Sequence, residues 1–259
     1  MKNSSTGDPL NPFSEYSKFS SYSKWKNDEI VHVFEPGKKF STLFYKVHND
    51  FRSHISNSDF PCIGAKAALN GNCYRFGFYT EMNSPDSTAG LAFDLWSYVR
   101  EQSSFGTNYS TFVACFGSPT ITNEKFWEEL LWAQLTNLNK IDSAHHKWDS
   151  TVSSDPENPN FSFSFAETAF FIVGLHPASS RISRRFPWAT LVFNIRAQFQ
   201  RLRDENKFER MRQTIRARDL KLQGSLNPNL SDFGERSEAR QYSGRAVEEN
   251  WKCPFHKSS

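Results

Sequence analysis

The apolar segment Phe170–Leu175 runs directly into ionisable residues. It is typical of a buried strand, and it is far too short for a membrane helix, which needs roughly 20 apolar residues. His176 and a group of arginines follow, so the chain places charged side chains at the edge of a hydrophobic core. Arginine binds carboxylates and phosphates through paired N–H groups. We therefore expect a site for an anionic ligand near Arg181, Arg184 and Arg185.

Short strands and amphipathic helices are predicted along most of the chain. The helices are predicted at 41–53, at 91–100, from 126 onward with Asn123 as the N-cap, and at 195–215 with a break near 204–206. The strands are predicted at 74–79, 111–116, 161–165, 170–175 and 190–194. The last three strands follow one another closely, with a hairpin at Ala166–Thr168, which favours antiparallel pairing. The pattern predicts an α+β fold with a central, mainly antiparallel sheet of about five strands flanked by helices.

The domain organisation follows from composition. Residues 1–26 lack sustained periodicity and are predicted to be a flexible N-terminal tail or docking arm. Residues 27–259 are long enough to form a single domain with its own core. The aromatic residues near Cys253 predict an extended C-terminal segment that docks back on this domain.

Cysteine use and charge limit the functional classes. The four cysteines show no zinc-ligand spacing, and the N-terminus does not read as a signal peptide, so we expect a reduced, cytoplasmic protein. Residues 176–225 contain twelve Lys and Arg against four Asp and Glu. A solvated helix face explains this charge better than nucleic acid does, and we expect neither a nucleic-acid nor a membrane partner. Nucleotide-loop, Rossmann and HExxH zinc motifs are absent from the sequence.

Three residues could carry metal or redox chemistry. Cys62 follows Phe60-Pro61 and precedes a small-residue helix whose N-terminus would favour a thiolate. His176 could ligate a metal, shuttle a proton or serve as a core histidine. Cys253 could be functional or simply part of the docked C-terminal segment. For Cys62 too, an ordinary buried thiol is the alternative.

The segment Phe60–Phe255 resembles the YqcI/YcgG family, in particular the branch with the haem-dependent N-hydroxylases of the guanitoxin and D-cycloserine pathways. The motifs that carry the resemblance are Phe60–Lys66, Tyr74–Tyr79, Gly174–Pro177, Ser180-Arg181, Arg184–Pro187, Leu191–Asn194, Ile215–Asp219, Leu222–Gly224, Asn227-Pro228, Ser237–Arg245 and Trp251–Phe255.

The resemblance implies a haem b protein that hydroxylates a nitrogen of an arginine-like, guanidine- or amine-bearing small molecule. It would use O2 or peroxide, with a possible electron donor. A non-catalytic haem-binding or haem-sensing protein is the alternative.

A haem needs an axial ligand, anchors for its propionates and flat apolar walls. Cys62 is the first candidate ligand, because a thiolate favours O–O cleavage, with Phe60 and Pro61 shaping its approach. His176 is the second candidate and Cys253 the third; with Cys62 as ligand, His176 becomes a proton donor or a propionate partner. Arg181, Arg184 and Arg185 are the candidates for binding the propionates or a substrate carboxylate. Glu238 and Asp219 are the candidates for binding a substrate guanidinium.

Overall fold

A computed structural model describes residues 10–231 and 234–257. The strands in this part of the chain are β1 (Ser23–Lys26), β2 (Glu29–His32), β3 (Tyr74–Glu81), β4 (Thr111–Ser118), β5 (Phe163–Phe165), β6 (Thr168–Leu175) and β7 (Ala189–Ile195). The helices are α1 (Thr42–Ser56), α2 (Ile63–Asn70), α3 (Pro85–Glu101), α4 (Glu124–Asp142), α5 (Ala197–Asp204), α6 (Phe208–Gln223) and α7 (Ala239–Tyr242).

The strands form one open mixed sheet in the order β2-β1-β3-β4-β7-β6-β5. The β3–β4 pair is parallel, and the other neighbouring pairs in this sheet are antiparallel. The predicted α+β architecture with flanking helices is confirmed. The predicted number of five strands is wrong, because the described residues contain seven. The two additional strands, β1 and β2, form a hairpin whose lysines and glutamate obscure the usual strand pattern.

Residues 10–26 lie against the folded core. Phe13 and Tyr22 are buried, and the carboxylate of Asp94 on α3 accepts hydrogen bonds from the Ser20 hydroxyl and the Ser21 backbone N–H. This segment therefore contains both a docked portion and strand β1, whereas residues 1–9 of the predicted tail or docking arm lie outside the described residues. The assignment of residues 27–259 to a single domain stays a prediction.

Two hydrophobic clusters cover the two faces of the sheet. One joins α3 and α4 to the sheet through large side chains such as Trp127 and Phe193. The other joins α1 and α2 to the opposite face through Phe44, Phe76 and Val113. Alternate residues of a strand point to opposite faces, so each central strand contributes to both clusters.

The C-terminal part of the chain consists mainly of helices α5 and α6 and an extended segment that includes Phe255. The predicted helix break is confirmed: α5 ends at Asp204 and α6 begins at Phe208, with Asn206 between them at a φ of 57°. Phe255 is buried, and its ring contacts Trp132 and Trp148, so the C-terminal segment packs on the α4 side of the sheet. Within the described part of the chain, every helix is too short or too polar to cross a membrane.

Candidate functional site

A cavity of about 410 Å³ lies between the sheet and helices α2, α5 and α6. Its floor is one face of the sheet, formed by Phe171, Val173 and Leu175 of β6 with Val192 and Asn194 of β7. These positions share a face because they alternate along paired strands. The volume falls within the roughly 300–1,000 Å³ that is typical of sites for small ligands and cofactors.

Cys62 lies in the wall of this cavity, together with Phe60 and Pro61. It is the N-cap of α2, and its sulfur accepts a 3.4 Å hydrogen bond from the backbone N–H of Ala65. The helix N-terminus expected from the sequence is therefore present. Burial nevertheless raises the pKa of the Cys62 thiol, while the backbone N–H groups of Ala65 and Gly64 act in the opposite direction. The expectation of a favoured thiolate is wrong for the protein alone, because desolvation outweighs the helix terminus.

Two of the predicted arginines line the cavity, and both are engaged by protein groups. Arg181 is buried in an ion pair with Asp219 and also donates a 2.9 Å hydrogen bond to the carbonyl of Ser225. Arg184 donates to the carbonyls of Gly174, Gln241 and Tyr242. Burial lowers the pKa of Arg184 to about 10, so it remains a cation at neutral pH. These contacts make both arginines part of the scaffold of the cavity.

Three other predicted residues lie outside the cavity lining. Arg185 is exposed and donates to the carbonyl of Ser179. His176 is buried on the α4 side, where its ring stacks on Trp127 at 5.1 Å. Burial lowers its pKa to about 4, so it is neutral at pH 7. Cys253 packs against the same cluster on the α4 side.

Glu238 lies in the cavity wall and is 6% exposed. Its carboxyl oxygen Oε1 accepts hydrogen bonds from the hydroxyls of Ser162 and Tyr242. Burial raises the pKa of Glu238 to about 7, and the charges of Arg196 and Arg203 limit the rise. A carboxyl group with a pKa near neutrality can both accept and donate a proton under ordinary conditions. Asp219, the other predicted acceptor for a guanidinium, is occupied by Arg181.

Apart from Asp219, the residues that α6 contributes to the cavity are not predicted from the sequence. Met211, Ile215 and Asp219 are spaced at i, i+4 and i+8, and they line the cavity with Arg212 and Arg216. The signal was present in this helical spacing. Charge alone does not show which side of a helix is buried, so the sequence predicts a solvated face for the arginines of α6.

Two side chains with soft sulfur donors line the cavity, Cys62 and Met211. Among residues 10–231 and 234–257, no group of three or more His, Cys, Asp or Glu side chains is arranged to hold a metal ion directly. A porphyrin supplies the equatorial nitrogen ligands of its iron, so a single side chain such as Cys62 suffices as the protein ligand. The cavity wall adds aromatic surfaces from Phe60, Tyr109 and Phe199. The sulfur donor of Cys62 and the aromatic side chains of the cavity wall are of the types that a haem site uses.

Comparisons with known proteins connect the chain to one family. The model of the YqcI/YcgG family matches residues 51–256. The uncharacterised protein YqcI of Bacillus subtilis is 30% identical over 208 residues, which span 76% of this chain and 81% of the relative. No solved structure matches the chain. The matched region contains Cys62, Glu238 and the helices that enclose the cavity.

Proposed function

Because the chain belongs to the YqcI/YcgG family, we propose that it is a haem-dependent N-oxygenase that hydroxylates a nitrogen of an arginine-like, guanidine- or amine-bearing small molecule. The observation that carries this proposal is the pairing, in one largely apolar cavity, of a cysteine sulfur with a buried carboxyl group of near-neutral pKa. The first suits an axial iron ligand, and the second suits a group that binds and deprotonates a cationic nitrogen.

Cys62 would hold the iron. A thiol that coordinates a metal loses its proton, which overcomes the cost that burial imposes on the thiolate. The backbone N–H of Ala65 already points at the sulfur and would stabilise its negative charge. Arg212 and Arg216, one turn apart on α6, line the cavity together with Arg181 and Arg184, and these arginines would supply the positive charge that the propionates require. The bound haem would supply oxygen activation, which thiolate ligation promotes.

Glu238 would bind the substrate nitrogen. Hydroxylation replaces an N–H bond of the substrate by N–OH, so the reacting nitrogen must give up a proton as the N–O bond forms. The Glu238 carboxylate would attract the guanidinium or ammonium group and accept that proton during this step. Tyr242 and Ser162 fix the carboxyl group through their hydroxyls. The apolar floor of β6 and β7 would limit access of water.

Reconstitution with haem tests the proposal. Purified protein titrated with haem is expected to bind one equivalent, measured by the Soret band and by a pyridine haemochrome assay. The loaded protein is then incubated with arginine, other guanidines and simple amines, with either O2 and a reductant or hydrogen peroxide. We expect a product that has gained one oxygen atom, detected by mass spectrometry.

The outcomes separate the alternatives. Failure of folded protein to bind haem would overturn the proposal. Tight haem binding without product from any amine or guanidine would instead indicate a haem-binding or haem-sensing protein.

A further inference from the structure

A second depression, which we call the α5–α6 groove, adjoins the cavity. It has a volume of about 840 Å³ and is lined by α5, by the beginning of α6 and by parts of β6 and β7. Arg196, Arg203, Phe208 and Arg212 line both the groove and the cavity, so they form the boundary between the two spaces. The groove therefore shares a wall with the cavity that contains Cys62.

The walls of the groove carry an excess of positive charge. Its lining contains the three boundary arginines but only two acidic residues, Asp149 and Glu209. The Asp149 carboxylate accepts hydrogen bonds from the backbone N–H groups of Thr151 and Ala169. Glu209 forms an ion pair with Arg212. Both carboxylates are thus engaged by groups of the groove wall.

Arg203 has the geometry of an anion receptor. Its guanidinium carbon lies 4.0 Å from the ring centroid of Phe208, which holds the planar group against an aromatic surface. The side chain is half-buried, and with the residues that the structure describes it makes no hydrogen bond or ion pair. The edge of the guanidinium therefore remains available to a carboxylate or phosphate, which arginine can bind through two parallel hydrogen bonds.

Arg196 and Arg203 repel each other in this position. Burial lowers the pKa of Arg196, and the charge of Arg203 lowers it further, while Glu238 and Asp149 act in the opposite direction. Holding two cations close together in a partly desolvated site costs free energy. The charge of Glu238 already offsets part of that cost, and an anion bound between the two arginines would offset more of it.

We propose that the α5–α6 groove binds the oxyanion group, a carboxylate or a phosphate, of a small molecule, with Arg203 as its main contact and Arg196 as the second cation. This site goes beyond the proposed function, because it requires neither haem nor oxygen. Its position also places the anionic end of a ligand next to the cavity wall that contains Glu238.

Binding of simple oxyanions to the purified full chain tests the site. Succinate and inorganic phosphate serve as the two probes, and isothermal titration calorimetry at low ionic strength measures their affinity. The test variants are Arg203→Gln and the charge-preserving Arg203→Lys. Arg210→Gln is the matched control, since Arg210 is exposed on α6 and lies outside the linings of both spaces.

We expect saturable binding of at least one probe, weakened about tenfold or more by Arg203→Gln, which removes charge-assisted hydrogen bonds. The affinity of Arg203→Lys should lie between those of the wild type and Arg203→Gln, and the affinity of Arg210→Gln should match that of the wild type. The stronger probe identifies carboxylate or phosphate as the preferred group. Absence of saturable binding of both probes, or equal weakening by Arg210→Gln, would overturn the site.

A haem titration of Arg203→Gln separates this proposal from the previous one. Unchanged haem affinity supports a groove site that is distinct from the cavity. A parallel loss of haem affinity would assign Arg203 to the propionates and overturn the groove site. If the wild-type protein binds succinate or phosphate but not haem, the oxygenase proposal fails and the groove site stands.

Discussion

The Tyr242 hydroxyl lies 2.7 Å from the Glu238 carboxyl oxygen Oε1 and 3.0 Å from the carbonyl oxygen of Phe170. A tyrosine hydroxyl has a single proton, so it cannot donate fully to both acceptors. While Glu238 is ionised, Tyr242 donates to the carboxylate; once Glu238 is protonated, its own proton can serve the contact with Tyr242, and the Tyr242 proton is then available to Phe170. Burial raises the pKa of Glu238 to about 7 against the opposing effect of the hydrogen bonds from Ser162 and Tyr242, so the protonation state of the cavity depends on pH near neutrality.

The first prediction concerns Glu238→Gln and pH. Burial raises the pKa of Glu238 from its usual 4.5 to about 7, so the folded protein holds the proton more tightly than the unfolded chain. The raised pKa contributes its full share to the free energy of unfolding below pH 4.5, and this share is lost as the pH rises through about 7. The loss amounts to about 3 kcal/mol. Glutamine stays neutral, so Glu238→Gln should be more stable than the wild type at pH 8 and similar at pH 4.

Urea unfolding at pH 4, 6 and 8 measures this difference. Asp94 also has a raised pKa, about 7, but it is present in both proteins and cancels in the comparison. Glu249→Gln is the control, because the Glu249 side chain is 85% exposed. A wild type and a Glu238→Gln variant whose stabilities differ equally at pH 4 and pH 8 would contradict the prediction.

The second prediction tests Cys62 as the axial ligand. Cys62→Ala removes the sulfur from the cavity, so the haem-loaded variant should lose the long-wavelength ferrous–CO band that is characteristic of thiolate ligation. Cys73→Ala is the matched control, because Cys73 is a partly exposed cysteine outside the cavity lining. Absorption spectra of the two loaded variants provide the measurement. An unaltered spectrum for Cys62→Ala would show that another residue ligates the iron.

The third prediction concerns the buried ion pair of Arg181 and Asp219. Asp219→Asn leaves the Arg181 cation without its counter-charge in a site where the two side chains are 9% and 13% exposed. The free energy of unfolding should fall by about 3 kcal/mol. Asp204→Asn, at an exposed position on α5, should change it by less than about 0.5 kcal/mol. Equal stabilities of the two variants in urea would mean that the ion pair has no structural role.

The fourth prediction concerns the contact between α3 and the N-terminal segment. A Cβ atom on Gly90 would lie 2.3 Å from the carbonyl oxygen of Phe19. Gly90→Ala should therefore displace residues 14–19 and lower the free energy of unfolding by about 1–3 kcal/mol. Gly64→Ala is the matched control in α2, where the nearest atom is 3.6 Å away and the contact is ordinary.

Limited proteolysis of the first 26 residues, together with urea unfolding, measures both effects. We expect faster cleavage in Gly90→Ala and unchanged cleavage in Gly64→Ala. Cleavage at the same rate in both variants would show that Gly90 is not required for this contact.

Local patterns in the sequence were sufficient to predict most of the helices and strands. The apolar spacing of α1 and α4, the Asn123 cap and the hairpin before β6 depend on residues close together in the chain, and each was predicted. Cys62 at a helix N-terminus was predicted for the same reason. The β1–β2 hairpin was missed because its stability comes from pairing with β3, about fifty residues away.

The composition of the cavity depended on tertiary structure. Leu175 and His176 are consecutive, yet Leu175 lines the cavity and His176 stacks on Trp127 on the other side of the sheet. Asp219 and Arg181 are both ionisable candidates in the sequence, and only the fold shows that they neutralise each other. The sequence by itself determined most of the helices, most of the strands and the cysteine at the cap of α2. The tertiary structure decided which charged groups face the cavity, because the packing of distant elements determines burial and the pairing of charges.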